Sequence, residues 1–361
     1  MKLPDFPWDA LAPYKQRASE HPEGIVDLSI GTPVDATPEI MQAALNGSSN
    51  APGYPTTIGT AELRDAMRGW LSKRLKISDA TDQNKIDVLP TIGSKELVAW
   101  LPTFLQSETV LYPKIAYPTY LVGAMLAQSH EIAVDIDASQ WPQADLAWVN
   151  SPANPTGRVH SEAELRAVIQ WSRKNKAVVI SDECYLEFGD GVTPTSIFAY
   201  SDGDNSNLLA VHSLSKRSSL AGYRAAFMVG DPALIAAIRE IRKHAGMMVA
   251  LPVQKAMTAA LGDDEHVATT RKRYNSRRAT LKPALEAAGF RIEESVAGLY
   301  IWCTRNEDAW KSVDWLAEIG ILATPGTFYG PDGSHHIRVA MTATDNAIND
   351  AAGRIMAAIG A

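Results

Sequence analysis

Seven short apolar segments alternate with helical patterns between about residues 85 and 230, and this alternation constrains the fold more than any other feature. The segments read "KIDVLP", "ETVLYP", "HEIAVDI", "LAWVNSP", "KAVVISD", "LLAVHSL" and "AAFMVGD". Nearly continuous apolar runs of this length are typical of strands that are buried on both faces. The pattern therefore predicts an α/β fold, with a mostly parallel seven-stranded sheet between layers of helices.

The sequence outside these segments predicts a second, smaller unit. The segment "HSEAELRAVIQWSRKNK" offers Ser161 and Glu164 as a capping box that opens a crossover helix. The last 70 residues combine β-rich "RIEESVAGLYIWCT" and "HHIRVAMT" with two helical patterns, which indicates an α+β domain. A chain of 361 residues exceeds the size of most single cores. We expect a large domain over residues 46–285 and a small domain over 1–45 and 286–361.

Charge and cysteine content exclude several classes of protein. The net charge of −7 argues against a nucleic-acid partner or an anionic membrane, both of which require a basic face. The two cysteines, Cys184 and Cys303, lie far apart and predict neither a disulfide framework nor a metal site. The amino-terminal sequence shows no apolar export signal, and no segment is apolar enough to span a membrane. We expect a cytoplasmic protein.

Three polar residues follow predicted strands at equivalent places. Asn154 comes after "LAWVN", Asp182 closes "KAVVISD", and Lys216 comes after "LLAVHSL". Ligands bind at the carboxyl ends of strands in open α/β sheets, so these three residues predict a site. An acid at the end of an apolar strand is costly to desolvate, and we expect Asp182 to have a cationic partner. The alternatives are an Asp that caps a strand end and a lysine in a solvated loop.

Pyridoxal phosphate suits this set of residues. The cofactor needs a lysine for its Schiff base, an acid beside its pyridine nitrogen and a cradle for its phosphate. The cradle candidates in "HSLSKRSSLAGYR" are two hydroxyl groups and a cation, and a second candidate is the start of the helix predicted from "TIGSKELVAWL". We expect Gly222 to allow the turn that points Arg224 back toward the phosphate. The candidate residues for the phosphate cradle are Ser94, Lys95, Ser213, Ser215 and Arg224.

The chain also resembles a known family over nearly its whole length. The matching segments are "YPTTIGTAELR", "GSKEL", "YPTY", "NPTG", "SDECY", "SLSKRSSLAGYR" and "HHIRVAMT". In this order they are similar to the fold-type I pyridoxal-phosphate aminotransferases of the class I/II group. The resemblance implies that Lys216 forms the Schiff base and carries protons, and that Asp182 pairs with the pyridine nitrogen. It also implies that Asn154 and Tyr185 bind the phenolic oxygen of the cofactor, and that Tyr117 stacks on its ring.

The resemblance extends to the substrate and to the oligomer. It implies that Arg338 grips the α-carboxylate of the substrate, that the backbone of Gly31 approaches the same group, and that Tyr54 reaches the phosphate in a neighbouring subunit. The expected assembly is a homodimer with shared active sites. Small amino and oxo acids would be its ligands, without a metal ion.

At finer grain, segments such as "LPTIGSKELVAWLPT" and "ILATPGTFYGPDG" are most similar to actinobacterial succinyldiaminopimelate transaminases. That likeness implies glutamate as amino donor, N-succinyl-2-amino-6-oxopimelate as acceptor and a place in lysine and diaminopimelate biosynthesis. A second cationic contact for this substrate is open among Lys95, Arg17 and Arg217.

Other functions remain open at this point. They are transamination of aspartate, LL-diaminopimelate or an aromatic amino acid, a C–S lyase, and a ligand-sensing module without catalysis. Motifs typical of dinucleotide enzymes, P-loop NTPases and α/β-hydrolases do not occur in the sequence.

Overall fold

The structure, a computed structural model, describes residues 3–77, 80 and 82–360. Its largest element is a seven-stranded sheet, formed by the seven segments that the sequence predicts. The strands are β2 (Asp87–Ile92), β3 (Thr109–Pro113), β4 (His130–Val134), β5 (Leu146–Asn150), β6 (Val178–Asp182), β7 (Leu208–Ser213) and β8 (Ala225–Gly230). Their order is β2-β8-β7-β6-β5-β3-β4, with β8 antiparallel to both of its neighbours and the other pairs parallel. The predicted α/β fold is confirmed.

Helices cover the sheet, and their ends follow local sequence signals. The helices of this part are α2 (Glu39–Gly47), α3 (Ala61–Leu75), α4 (Ser94–Phe104), α5 (Thr119–Leu126), α6 (Glu162–Asn175), α7 (Leu214–Arg217), α8 (Pro232–His244) and α9 (Leu251–Gly262). At the start of α6, the Glu164 carboxylate accepts the Ser161 amide at 2.8 Å, and the Ser161 hydroxyl accepts the Glu164 amide at 3.3 Å. This reciprocal pair is the predicted capping box.

The second unit is a four-stranded antiparallel sheet with helices against it. Its strands are β9 (Arg291–Glu293), β10 (Tyr300–Thr304), β12 (Thr324–Pro325) and β13 (Ile337–Ala340), in the order β12-β13-β10-β9. A short parallel pair joins β1 (Val26–Asp27) to β11 (Ile321–Leu322), which ties the amino-terminal segment to the carboxyl-terminal part. The helices here are α1 (Ala12–Ser19), α10 (Glu265–Ala287), α11 (Ala309–Glu318) and α12 (Asp345–Gly360).

Packing near the expected domain limits is shared between the two units. Met41 of α2 lies in the same apolar cluster as Met67 of the large unit, whereas Leu281 of α10 lies in the cluster of the small unit. Each helix therefore packs with the unit on the other side of the expected limit, and division of the chain at residues 46 and 285 stays a prediction.

Candidate active site

The sheet brings the carboxyl ends of β5, β6 and β7 together. Asn150 closes β5 and pairs in register with Asp182, and α7, which carries Lys216, begins directly after β7. The Asn150 carboxamide donates to the Asp182 carbonyl at 2.9 Å and accepts the Asn154 amide at 2.7 Å. One buried side chain thus holds the loop of Asn154 beside the end of β6.

Asp182 is a buried carboxyl group, 7% exposed, whose partners are neutral. It accepts the Tyr120 hydroxyl at 2.8 Å and the Cys184 amide at 3.2 Å. Within the described part of the chain no Lys, Arg or His lies within 4.0 Å of it, so these residues do not supply the expected cationic partner. Burial raises the pKa of Asp182. A protonated pyridine nitrogen would supply the missing positive charge, and the residue fits the predicted cofactor.

Lys216 is part-buried and points toward Gly31. Its amine donates a hydrogen bond to the Gly31 carbonyl. Burial lowers the pKa of Lys216, and the positive charge of Arg338 acts in the same direction. A desolvated lysine has more of the neutral amine, which is the nucleophilic form.

Arg338 is the buried cation of the site. Its guanidinium donates to the Ser29 carbonyl at 2.6 Å and to the Asn154 carboxamide oxygen at 3.1 Å. Its central carbon lies 4.0 Å from the centre of the Tyr300 ring. The described residues give it no acidic partner within 4.0 Å, and its Nε has no hydrogen-bond acceptor. A buried guanidinium without a carboxylate fits a carboxylate ligand.

The proposed phosphate cradle combines a helix start with hydroxyl groups. Helix α4 begins at Ser94 after Gly93, whose φ is 91°, and a Cβ on Gly93 would collide with the Arg224 guanidinium. The Ser213 hydroxyl accepts the Ser215 amide at 3.1 Å. The first amides of α4 and the Arg224 guanidinium are donors of the kind that an anion binds.

The expected role of Gly222 is wrong. Gly222 has no positive φ, whereas Arg224 itself adopts a left-handed conformation with φ at 55°. The Arg224 side chain donates to the Ala221 carbonyl at 2.8 Å, and this bond stabilises the turn that the sequence assigns to Gly222.

The aromatic candidates lie at different depths. Tyr185 is buried, its hydroxyl lies 3.2 Å from that of Tyr300, and burial raises its pKa. Tyr117 is half-buried, and the Lys95 amine lies 6.0 Å from the centre of its ring. Tyr54 stands apart with 96% of its surface exposed.

Comparison with known proteins identifies the chain. A family model described as aminotransferase class I and II matches residues 23–355. The chain belongs to this family. A probable aminotransferase of Mycobacterium tuberculosis is 52% identical over 359 residues, which are 98% of this chain and 85% of that protein. The 4-dedimethylamino-4-oxo-anhydrotetracycline transaminase OxyQ of Streptomyces rimosus is 50% identical over 361 residues, covering 98% of this chain and 99% of that protein.

Solved structures agree with this assignment. The structure of a probable N-succinyldiaminopimelate aminotransferase from Thermus thermophilus has a TM-score of 0.87 and 25% identity, covering 98% of this chain and 100% of that chain. The protein is therefore a fold-type I aminotransferase whose cofactor is pyridoxal phosphate. The predicted fold type, reaction class and cofactor are confirmed.

Three residues of the candidate site are not among those predicted from the sequence. Tyr120 bonds Asp182, Asn150 holds the Asn154 loop, and Tyr300 contacts Tyr185 and Arg338. The sequence signal for Tyr120 is its place in the "YPTY" segment, which follows the predicted strand "ETVLYP". Tyr300 occurs inside the apolar run "GLYIWCT", where an aromatic residue is typical of core packing.

Metal clusters and membrane-spanning helices are both absent from the described ranges. No group of three or more His, Cys, Asp or Glu side chains in residues 3–77, 80 and 82–360 is placed to hold a metal ion. In the same ranges, every helix is too short or too polar to cross a membrane.

Proposed function

We propose that this aminotransferase transfers the amino group of glutamate to N-succinyl-2-amino-6-oxopimelate, in lysine and diaminopimelate biosynthesis. The observation that carries the substrate class is that neither the buried Arg338 nor the exposed Lys95, whose amine lies 6.0 Å from the Tyr117 ring, has an acidic partner within 4.0 Å among the described residues. Arg338 would bind the α-carboxylate and Lys95 a distal one. The other cations considered are engaged, because Arg17 pairs with Asp314 and Arg217 with Glu187.

Lys216 performs the proton transfers in this proposal. Pyridoxal phosphate, when bound, supplies an aldehyde carbon that receives the amino group and a ring that delocalises the electron pair left on the α-carbon. The neutral Lys216 amine would hold the cofactor in the resting enzyme and, once freed by the substrate amine, would serve as the base that takes the α-proton of the substrate and as the acid that gives it back. The low pKa that burial gives Lys216 supports both tasks.

Asp182 and its neighbours orient the ring. The Asp182 carboxylate would hold a proton on the pyridine nitrogen, and Tyr120 fixes the direction of that carboxylate. Asn154 and Tyr185 would bind the phenolic oxygen, and Tyr117 would cover one ring face. The Gly31 backbone would lie beside the substrate carboxylate that Arg338 binds. The phosphate would lie among Ser213, Ser215, Arg224 and the backbone amides of Ser94 and Lys95, which leaves the Lys95 side chain for the distal carboxylate.

A second copy of the chain completes the proposed site. Tyr54 is 96% exposed, so its phenol is available to a neighbour. We propose a homodimer in which Tyr54 donates to the phosphate in the partner subunit. A cytoplasmic location stays a prediction.

A second candidate function follows from the relative OxyQ. That transaminase is 50% identical across nearly the full length of both chains, which supports amination of a ketone on a polycyclic acceptor. Aromatic side chains beside Lys95 would suit such an acceptor, since the Lys95 amine lies 5.6 Å from the centre of the Phe6 ring and Trp8 packs against Phe6 at 5.4 Å.

Steady-state assays with glutamate as donor separate the candidates. The acceptors are N-succinyl-2-amino-6-oxopimelate, oxaloacetate and 4-dedimethylamino-4-oxo-anhydrotetracycline. The proposal predicts the highest kcat/KM for the first acceptor, and a rise of about tenfold or more in its KM in Lys95→Gln, because one charge-assisted bond is lost. A higher kcat/KM for the tetracycline precursor would favour the second candidate and overturn the first.

A further inference from the structure

Tyr300, the first residue of β10, occupies the junction of four groups in the site. It is 3% exposed, and its hydroxyl lies 3.2 Å from the Tyr185 hydroxyl. A Cβ on Gly31 would collide with the Tyr300 hydroxyl, so the backbone of Gly31 packs directly on that group. Lys216 donates to the carbonyl of the same glycine. The Tyr300 hydroxyl therefore lies between Tyr185 and Gly31, and Lys216 contacts the carbonyl of that glycine.

The ring of Tyr300 has a separate contact. The guanidinium of Arg338 lies over it, with 4.0 Å between the central carbon and the ring centre. A cation over an aromatic face is attracted by the negative face of the ring. Arg338 also donates to Ser29 and Asn154. The Tyr300 ring is therefore a third contact that holds a guanidinium without an acidic partner in the described part of the chain.

We propose that Tyr300 is a positioning residue that acts through Tyr185 with its hydroxyl and through Arg338 with its ring. The Tyr300 hydroxyl donates to the Tyr185 oxygen, which leaves the Tyr185 proton free to point at the phenolic oxygen of the cofactor. Hydrogen bonds in such a chain strengthen one another in a buried site. The inference is independent of which oxo acid is accepted, but it rests on the proposed placement of the phenolic oxygen beside Tyr185.

The test is a pH titration of the visible absorbance of the holoenzyme, recorded without substrate. Removing the donor in Tyr300→Phe weakens the hydrogen bond from Tyr185 to the anionic phenolic oxygen of the cofactor. The protonated form of the bound cofactor then persists to higher pH, so the midpoint of the absorbance titration rises. We expect a rise of about half a pH unit, because a neutral hydrogen bond acting through a second residue contributes only part of a tenfold factor. The KM for glutamate stays within about twofold, since the ring beneath Arg338 is kept.

Two further variants isolate the two contacts. Tyr300→Leu removes the ring and is expected to raise the KM for glutamate about tenfold as well as the titration midpoint. Tyr329→Phe is the matched control. Its ring also faces Arg338, at 5.1 Å, but its hydroxyl makes no hydrogen bond to Tyr185, so its titration midpoint stays that of the wild type.

Tyr185→Phe distinguishes failure of this inference from failure of the cofactor placement. An unchanged midpoint in Tyr185→Phe would overturn the placement and, with it, the inference. A raised midpoint in Tyr185→Phe with an unchanged one in Tyr300→Phe would overturn the inference alone. The unfolding midpoint of each cofactor-free variant, measured by circular dichroism, shows that the fold is retained.

Discussion

Asp182 and Glu183 are adjacent buried carboxyl groups that face different partners. Asp182 accepts the Tyr120 hydroxyl in the candidate site. Glu183 accepts the Ile197 amide at 2.8 Å on the other side, and its second oxygen lies 3.7 Å from the His212 ring. Alternation along a strand end explains the contrast, because successive side chains point to opposite faces. The two residues therefore allow separate tests of catalysis and of folding.

Replacement of Asp182 tests the catalytic half of this pair. Asp182→Asn keeps the size of the side chain and removes the charge that holds the pyridine proton, so turnover falls about a hundredfold or more. Tyr117→Phe keeps the ring and loses one hydroxyl, so turnover falls about tenfold at most. Single-turnover kinetics with glutamate measure both. Comparable losses would contradict the roles assigned to the two residues.

Glu183 predicts a pH dependence of stability. Burial raises the pKa of Glu183 from 4.5 to about 7, so the folded protein holds a proton that the unfolded chain releases between these values. Stability from this group is therefore lost as pH rises from 4.5 to 7, by up to about 3 kcal/mol. Burial lowers the pKa of His212 to about 3, which acts in the opposite sense, because stability from this group is gained as pH rises above 3.

Glu183→Gln removes the titration and keeps an acceptor for the Ile197 amide. As pH rises from 5 to 8, the urea midpoint of the wild type is expected to fall relative to that of Glu183→Gln. Urea unfolding of the cofactor-free proteins measures both midpoints. A difference that is constant with pH would show that Glu183 is ionised alike in the folded and unfolded states.

Among the elements, helix α4 depends on the conformation of one residue before it. Gly93 has a φ of 91° and lies against Arg224, so a side chain there both strains the backbone and displaces the guanidinium. Gly222 lies in the same loop as Arg224, has no positive φ and has no atom within 4 Å of a Cβ position. The two glycines form a matched pair.

Gly93→Ala is expected to weaken binding of pyridoxal phosphate about tenfold or more, because Arg224 no longer faces the first amides of α4. Gly222→Ala is expected to bind the cofactor like the wild type. Absorbance titration of the cofactor-free proteins gives both dissociation constants. Equal affinities in all three proteins would remove Gly93 and Arg224 from the phosphate cradle.

The strands of the large sheet could be predicted because each is a nearly continuous apolar run. The antiparallel direction of β8 could not, since a run buried on both faces reads the same in either direction. Asn154, Asp182 and Lys216 could be placed because each lies at or just beyond the carboxyl end of a strand. Tyr300 could not, because its hydroxyl meets Tyr185 across 115 positions of sequence, and no local pattern records such a contact.

At the scale of the whole molecule, the proposed site requires two chains. The exposed Tyr54 predicts a homodimer of about twice 39.1 kDa in analytical ultracentrifugation. Tyr54→Phe is expected to remain a dimer while it binds pyridoxal phosphate several-fold more weakly, since one hydroxyl contact to the phosphate is lost. A monomeric wild-type protein with full cofactor affinity would contradict the shared site.

Lys216 is proposed to hold pyridoxal phosphate and to release it to an amino acid. The most direct test of this proposal is the absorbance spectrum of the purified holoenzyme before and after addition of glutamate, without an acceptor. We predict that the visible band of the lysine-bound cofactor is replaced by the band of its aminated form, with 2-oxoglutarate released in an amount equal to the enzyme sites. We predict no borohydride-fixed adduct at the site in Lys216→Ala. A colourless protein that stays unresponsive after reconstitution, or an adduct that persists without Lys216, would contradict the account.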